Sequence, residues 1–499
     1  MNITPSLPLN DRYDVAVIGI GPVGATLANL LALRGLRVLA LDREPDIYQL
    51  PRAIQFDGEC MRVFQTIGIA DQLMPGLFVA PGMKFLGADG SLLLDWQRST
   101  ERGPQAWHPS YRFHQPTLER ALRARLAEQA GVDLRLRHEV FSVEEGANDV
   151  ALRLEDTASG RLLRASARYV VGCDGARSTV RRFIGTELED LRSHERWLVV
   201  DVILRRDRPD LGDHAVQYCD PARPATYVRG PGDRRRWEFM LLAGEDAAVM
   251  SRPESIWQLL SRWITPDDAV LERPAVYTFH SVVAKGWRSG RLLIAGDAAH
   301  QTPPFMGQGM AAGIRDASNL AWKLADVIAG DAGEELLDTY ESERSPHVRE
   351  FIETAVRLGG VIQTQDPEDA RRRDREMLAN PQVFATPQPR LGPGVHAGGG
   401  PAGLIGEQPV LAEGMLFDDK AGYAFALLVD STWDIAGADP RVQLIRADTP
   451  GARDWLRRLG AGAVLLRPDR YVAGLAAAPQ DVKRLLQFAA VLCEQLAPA

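Results

Sequence analysis

The chain has 499 residues, 45% apolar and 25% charged, with a net charge of −8. That length is a prior for roughly three domains around sizeable cores, and the composition excludes a disordered, collagen-like or coiled-coil protein. The acidic balance offers no basic face for nucleic acid; only five of the 58 basic residues are Lys, so the Arg excess reads first as coding bias.

The first residues, Met1 to Pro5, have neither the charged start nor the apolar run of a signal peptide. No stretch reaches 18 apolar residues; the longest run, Ala25 to Leu41, is cut by Arg34 and Arg37. A soluble cytoplasmic protein with no membrane partner is expected. From Asp14 to Asp42 the pattern is βαβ: the buried strand Val15-Ala16-Val17-Ile18, a glycine-rich turn, a helix to Arg34 stopped at Gly35, and the strand Val38–Leu41. Residues 57–73 and 116–130 read as helices, the second opened by Pro116. Strand-like runs fill 132–172, and 196–283 is mostly β, including Trp197–Leu204 and Trp237–Leu242. Arg291–Ala295 is another buried strand, followed by helices over about 309–329 and 334–357. Residues 380–415, rich in Pro and Gly, read as a linker. The last 85 residues mix strands (Ala424–Val429, Ala463–Leu466) with a helix (Val482–Cys493).

The four cysteines, Cys60, Cys173, Cys219 and Cys493, form no C-x-x-C pair and have no His partner at metal spacing. Neither a disulfide framework nor a metal site is expected. Gly19-x-Gly21-x-x-Gly24 follows a strand and opens a helix, the context in which this motif binds a dinucleotide pyrophosphate at the helix N-terminus. Asp42, at the end of the second strand, is placed to accept hydrogen bonds from a ribose. The motif alone leaves NAD and FAD open. Two further segments bear on the choice: Gly172-Cys173-Asp174-Gly175, and Arg291–Gln308, where Asp297 ends a strand and a helix opens near Gly309. A second acidic turn with a second helix N-terminus suits an extended FAD, whose ribitol and ring need partners far from the adenosine.

These segments resemble the single-component FAD-dependent aromatic hydroxylases, the family of p-hydroxybenzoate and phenol hydroxylases, over about residues 12–360. Asp297–Pro304, Arg315–Leu324, Cys219–Pro224 and Arg235–Met240 are most similar to 3-(3-hydroxyphenyl)propionate hydroxylases. The resemblance implies an α/β (α+β) protein: a Rossmann-like FAD-binding domain in three parts (1–80, 106–185, 281–365), an inserted β-sheet substrate domain in two (81–105, 186–280), a helix and linker (366–414), and a thioredoxin-like C-terminal domain (415–499). With no C-x-x-C, that last domain has no dithiol chemistry and is expected to be a structural or subunit-contact module.

The same resemblance assigns residues to noncovalent FAD. Gly19, Gly21, Pro22, Val23, Gly24, Asp42 and Arg43 would hold the ADP half, with Val140 also against the cofactor. Arg52 would lie near the flavin and the nicotinamide path, and Gln115 at the centre of the cofactor. Asp174 and Gly175 match a motif tied to both FAD and NAD(P)H. Asp297 would take the ribitol, and Pro304, Gly307, Gly309, Met310 and Ala311 would line the ring. Ala311 stands where the family usually has Asn, so only backbone donors remain there. Asp57 matches an aspartate near the substrate hydroxyl; the other reading of it is a helix N-cap ahead of Gly58–Phe64. His300 reads as a structural residue and Trp237 as core.

The implied reaction is ortho-hydroxylation of a phenol, of the 3-hydroxyphenylpropionate type, using NAD(P)H and O2 through a flavin C4a-hydroperoxide. An Arg of the β-rich region would pair the substrate carboxylate. A homodimer is compatible with the reading. Two alternatives stand: a hydroxylase of a polyketide or other polycyclic phenol, and a non-catalytic FAD-binding regulatory protein. A halogenase is disfavoured because there is no Trp-x-Trp-x-Ile motif.

Overall fold

A strand that is apolar on both faces belongs in the middle of a parallel sheet, and Arg12–Ile18 is that strand. The computed structural model describes residues 12–49, 52–381, 383–435 and 439–494, leaving out the side chains of 192, 193 and 488–494. The N-terminal segment 1–5 and the Cys493 side chain therefore lie outside it. Arg12–Ile18 pairs in parallel with Val38–Asp42 on one side and Arg161–Gly172 on the other; these pair in parallel with Val132–Leu136 and Leu292–Ile294. The register sets Ile18 beside Leu41 and Gly172, and Gly172 beside Ile294. Turns from three distant stretches of sequence thus open at one carboxyl edge, where open α/β sheets bind ligands.

Five helices frame that edge. They are α1 (Pro22–Leu33), α2 (Gly58–Ile67), α3 (Gln115–Ala127), α4 (Gly309–Ala329) and α5 (Glu335–Ile362). Helix α5 runs five residues past its expected end, through Gly359 and Gly360. Leu358 and Ile362 continue its buried stripe, and a Cβ at Gly359 would meet the Phe305 ring at 2.5 Å. That glycine serves close approach of an aromatic rather than helix termination.

The β-rich region and residues 82–97 form one eight-stranded sheet. Its order is His300–Gln301, Ala269–Ala284, Leu188–Leu204, Arg234–Met240, Ala225–Arg229, Ala215–Cys219, Gly82–Gly87, Leu92–Gln97. A small sheet of Gln55–Phe56, Tyr111–Arg112 and Phe78–Val79 lies between it and the parallel sheet. Residues 425–476 form a four-stranded sheet with its own core around Leu428, Trp455 and Val464.

Two features correct the sequence reading. Residues 380–415 are not a free linker: Leu391, Val395 and Ala402 are buried, and the N–H groups of Gly392 and Val395 donate to Glu343 of α5. Proline and glycine suppress regular structure there without preventing packing. The C-terminal segment also docks through buried charge. Arg467 makes a bidentate pair with Glu343 at 2.7 and 2.8 Å, Glu343 also takes Lys323 of α4 at 2.8 Å, and Arg62 of α2 pairs with Asp418 at 2.7 Å. Tyr471 donates to Glu59 of α2 at 2.7 Å.

Candidate active site

The glycine turn is shaped by contacts only glycine allows. Gly19 has φ +92°, and a Cβ at Gly24 would lie 1.9 Å from the Gly19 carbonyl oxygen. Gly21 differs: nothing lies within 4 Å of a Cβ placed there. It caps the N-terminus of α1 without a side chain, with Pro22 and Val23 next, so the first N–H groups of α1 face open space. Asp42 accepts from the Ile20 N–H at 3.0 Å, from Arg123 at 3.2 Å and from the Glu44 N–H at 3.0 Å. Arg43 is exposed beside Glu44. Val140 is buried in the core of the parallel sheet.

The second and third motifs close on the first. A Cβ at Gly19 would meet the Asp174 Cα at 2.8 Å. Asp174 uses one carboxylate oxygen to accept from the N–H of Thr179 at 2.6 Å, while its other oxygen is buried and unpartnered; Gly175 has φ +77°. Asp297 sits in a single turn after Leu292–Ile294. Among the described residues no hydrogen bond reaches its carboxylate, and burial pushes its pKa up against the pull of Arg52 and His300. Gln115 accepts from the N–H groups of Arg52 and Ala53 at 2.9 and 2.8 Å and donates to Glu119, so it holds the Arg52 loop. The Arg52 guanidinium lies over Tyr48, 5.4 Å from the ring centre. The 304–311 segment is a turn, with Gly307 at φ +64°, leading into α4, whose preceding residue Gln308 provides no side-chain cap. Met310 is half-buried and Ala311 buried.

This donor set fits a dinucleotide carrying a flavin: a cradle that a Cβ would fill, an uncapped helix N-terminus, an unpartnered carboxylate and a second uncapped helix N-terminus lie along one edge. His300 is part of the support. It is buried and bonded to Asp316 at 2.6 Å; Asp316 also accepts from the Gly296 N–H and pairs with Arg344 at 2.9 Å.

A cavity lies between the 304–307 turn and the eight-stranded sheet. Its wall includes Gln55, Arg112, Gln217, Thr226, Glu238 and Phe305. Strand register puts Gln217 opposite Thr226 and Thr226 opposite Glu238, a polar row across three strands. Thr226 donates to Gln217 at 2.6 Å, and Arg112 donates to Gln55. Burial and Arg98 push the Arg112 pKa down to about 9, against Glu238. The arginine on this wall comes from the small sheet, not from the β-rich region where sequence reasoning looked for one. Alternation along 234–240 offered a weak signal for Glu238, a carboxylate in an otherwise buried strand; a two-residue strand gave none for Arg112.

Asp57 is not on the cavity wall. It caps α2, accepting from the Cys60 N–H at 3.2 Å, and its other oxygen pairs with Arg315 of α4. Arg315 also pairs with Glu59 at 2.6 Å and donates to Gln308. Burial would raise the Asp57 pKa, but Arg315 outweighs it and holds the carboxyl below its usual value.

Among the described residues no helix is long and apolar enough to cross a membrane. A family model described as FAD binding domain matches residues 12–355. The chain is 38% identical to a probable NADH-specific resorcinol 4-hydroxylase of Rhodococcus jostii, over 97% of this chain and 95% of that protein. It is 33% identical to a 3-(3-hydroxy-phenyl)propionate/3-hydroxycinnamic acid hydroxylase of a Mycobacterium species, over 95% and 91%. Among solved structures it is similar in fold to the flavin-dependent monooxygenase PieE in complex with FAD and substrate, with a TM-score of 0.83 at 22% identity over 98% of this chain and all of that one. An aklavinone-11 hydroxylase with FAD and aklavinone matches with a TM-score of 0.80 at 24% identity, over 97% and 100%.

Proposed function

Because the chain belongs to the FAD binding domain family and is an FAD-dependent aromatic hydroxylase, we propose that it hydroxylates a single-ring phenol in the cytoplasm with NADH as reductant. The observation that carries the substrate reading is the cavity beside the 304–307 turn, where the buried polar side chains of Gln55, Arg112, Gln217, Thr226 and Glu238 share the wall with apolar residues such as Met83 and Phe305. Near-full-length similarity to hydroxylases named for resorcinol and hydroxyphenylpropionate supports the same size class.

FAD supplies acceptance of hydride from NAD(P)H and activation of O2. The protein's part is to bind, orient and exclude water. Gly19, Gly21, Pro22, Val23 and Gly24 hold the pyrophosphate, Asp42 and Arg43 the adenosine, with Val140 also against the cofactor, and Asp174 and Gly175 the side shared with the nicotinamide path. Asp297 would accept from the ribitol, with Arg52 near the flavin and the nicotinamide path and Gln115 at the centre of the cofactor. Pro304, Gly307, Gly309, Met310 and Ala311 would line the ring, where the α4 N-terminus would favour negative charge. Attachment is noncovalent. Asp57 serves as cap and ion-pair partner of Arg315, fixing α2 against α4, since both its oxygens already have protein partners. The domain division given above is retained as part of this proposal, except that 380–414 is a packed coil rather than a linker, with 415–499 as a thioredoxin-like structural module.

The test is a panel of phenols assayed for NADH loss and for hydroxylated product, because uncoupled turnover also consumes NADH. Resorcinol or 3-hydroxyphenylpropionate should give product. Product only from polycyclic phenols would overturn the single-ring reading, and FAD binding without NADH oxidation on any phenol would favour a regulatory protein. Size-exclusion chromatography decides whether the protein is a homodimer.

A further inference from the structure

The cavity wall carries one anion and one cation that are not paired with each other. Glu238 is 8% exposed; among the described residues no hydrogen bond reaches its carboxylate, and its nearest cation, Arg236 at 3.7 Å, makes a bidentate bond to Asp201 at 2.8 and 2.9 Å. Arg112 is 3% exposed and donates from one terminal nitrogen to Gln55; among the described residues its guanidinium makes no other hydrogen bond. A buried charge with unfilled hydrogen-bonding capacity is costly unless a ligand fills it.

We propose that Glu238 and Arg112 select a 1,3-dihydroxybenzene: one ring hydroxyl donates to Glu238, and the second ring oxygen accepts from Arg112. The assignment rests on the single-ring reading of the cavity. As negative charge builds on the first phenol oxygen, its proton passes to the Glu238 carboxylate: one O–H bond breaks and one forms. Burial pushes the Glu238 pKa up even with Arg236 and Arg112 nearby, which suits a carboxylate that must take a proton from a phenol. On the wall itself the two charges cancel and a neutral diphenol adds none, while the buried Arg98 that also acts on Arg112 would favour an added carboxylate, so the comparison of resorcinol with 3-hydroxyphenylpropionate decides between a diphenol and a phenolic acid. Gln217 and Thr226 satisfy each other and fix the floor beside Glu238.

The test uses FAD-loaded enzyme. Calorimetric titration without NADH compares resorcinol, phenol and 3-hydroxyphenylpropionate. Wild-type enzyme should bind resorcinol about 10- to 150-fold more tightly than phenol, the range for one hydrogen bond to a charged group. Arg112→Met should erase that preference and Arg112→Lys retain part of it. Glu238→Gln should weaken resorcinol and phenol binding alike, leaving the preference for resorcinol in place, while product formation at saturating substrate falls by about 10²- to 10⁴-fold, with Glu238→Asp recovering part. The wild-type comparison needs no variant, and flavin content with melting temperature identifies any variant that fails to fold. No resorcinol preference in the wild type, tighter binding of 3-hydroxyphenylpropionate, a preference unchanged in Arg112→Met, or an unchanged product rate in Glu238→Gln would each overturn the assignment. If single-ring phenols neither bind nor react while polycyclic phenols do, the function reading itself has failed.

Discussion

Replacing Arg315 by Met removes one buried cation while keeping most of the side-chain volume. Its side chain is 4% exposed and holds Asp57 and Glu59 together, so the variant leaves two carboxylates without their partner. Breaking a buried pair from one side costs about 3–5 kcal/mol. The carboxylate side chains are 18% and 16% exposed, and that partial hydration places the loss at ~3 kcal/mol, or about 3 °C in a chain of this size. The loss depends on pH. In the wild type Arg315 keeps the folded Asp57 pKa below its value of 3.8 in the unfolded chain, so the stabilisation is present above that value and is lost only as pH falls through the folded pKa. Without Arg315, burial, the largest influence, is opposed only by the Cys60 hydrogen bonds, and the folded pKa should rise above the unfolded one. The variant should then regain stability as pH falls from 8 towards 5, about 1.4 kcal/mol for each unit of elevation. Melting temperatures of both proteins across pH 5–8 measure the gap. A gap that stays constant, or is absent, refutes the buried-pair account.

Asp297→Ala should weaken FAD binding by about 10- to 150-fold, since a ribitol hydroxyl loses a charged acceptor, while preference among phenols is unchanged; flavin fluorescence titration and the phenol panel read the two effects. Gly21→Ala should leave the melting temperature near wild type and lower FAD affinity, because its Cβ meets no protein atom but points where a phosphate would lie. Gly24→Ala should lower both, as its Cβ would overlap a backbone oxygen and overpacking costs about 1–3 kcal/mol. Asp57→Asn keeps the cap, because Asn caps as well as Asp. Product formed per NADH in that variant should stay within about twofold, and a loss of about 10²-fold or more would return Asp57 to the role of base.

The parts of the site that could be read from sequence are those written locally. A strand, a glycine turn and a helix follow one another within Val15–Leu33, so Gly19, Gly21 and Gly24 carry their own context. Asp297 is marked in the same way by the buried strand before it and the helix after it. What brings these turns beside Asp174 is strand register, and single-strand patterns do not encode which strands neighbour each other. Arg112 escaped notice because two residues of strand make no pattern. Arg315, Glu343 and Arg344 lie on helices where charged residues ordinarily face water; their burial depends on partners more than a hundred residues away in some cases, as with Arg467. Composition misled at 380–415, where Pro and Gly disfavour helix and strand yet allow a close-packed coil.

The pair between Glu343 and Arg467 ties the fate of the last 85 residues to that of α5. With that segment removed, the buried Glu343 would keep Lys323 as its cation among the described residues, and the loss of Asp418 would leave Arg62 only the neutral acceptors Gln105 and Gly406. Shedding or gaining this segment by one deletion or fusion would therefore destabilise the rest of the chain unless the buried charges at 62, 323 and 343 changed with it. Transplanting the segment between relatives should succeed only when positions 62, 323 and 343 travel with it. On heating, the two parts should melt in one heat-absorption peak rather than two.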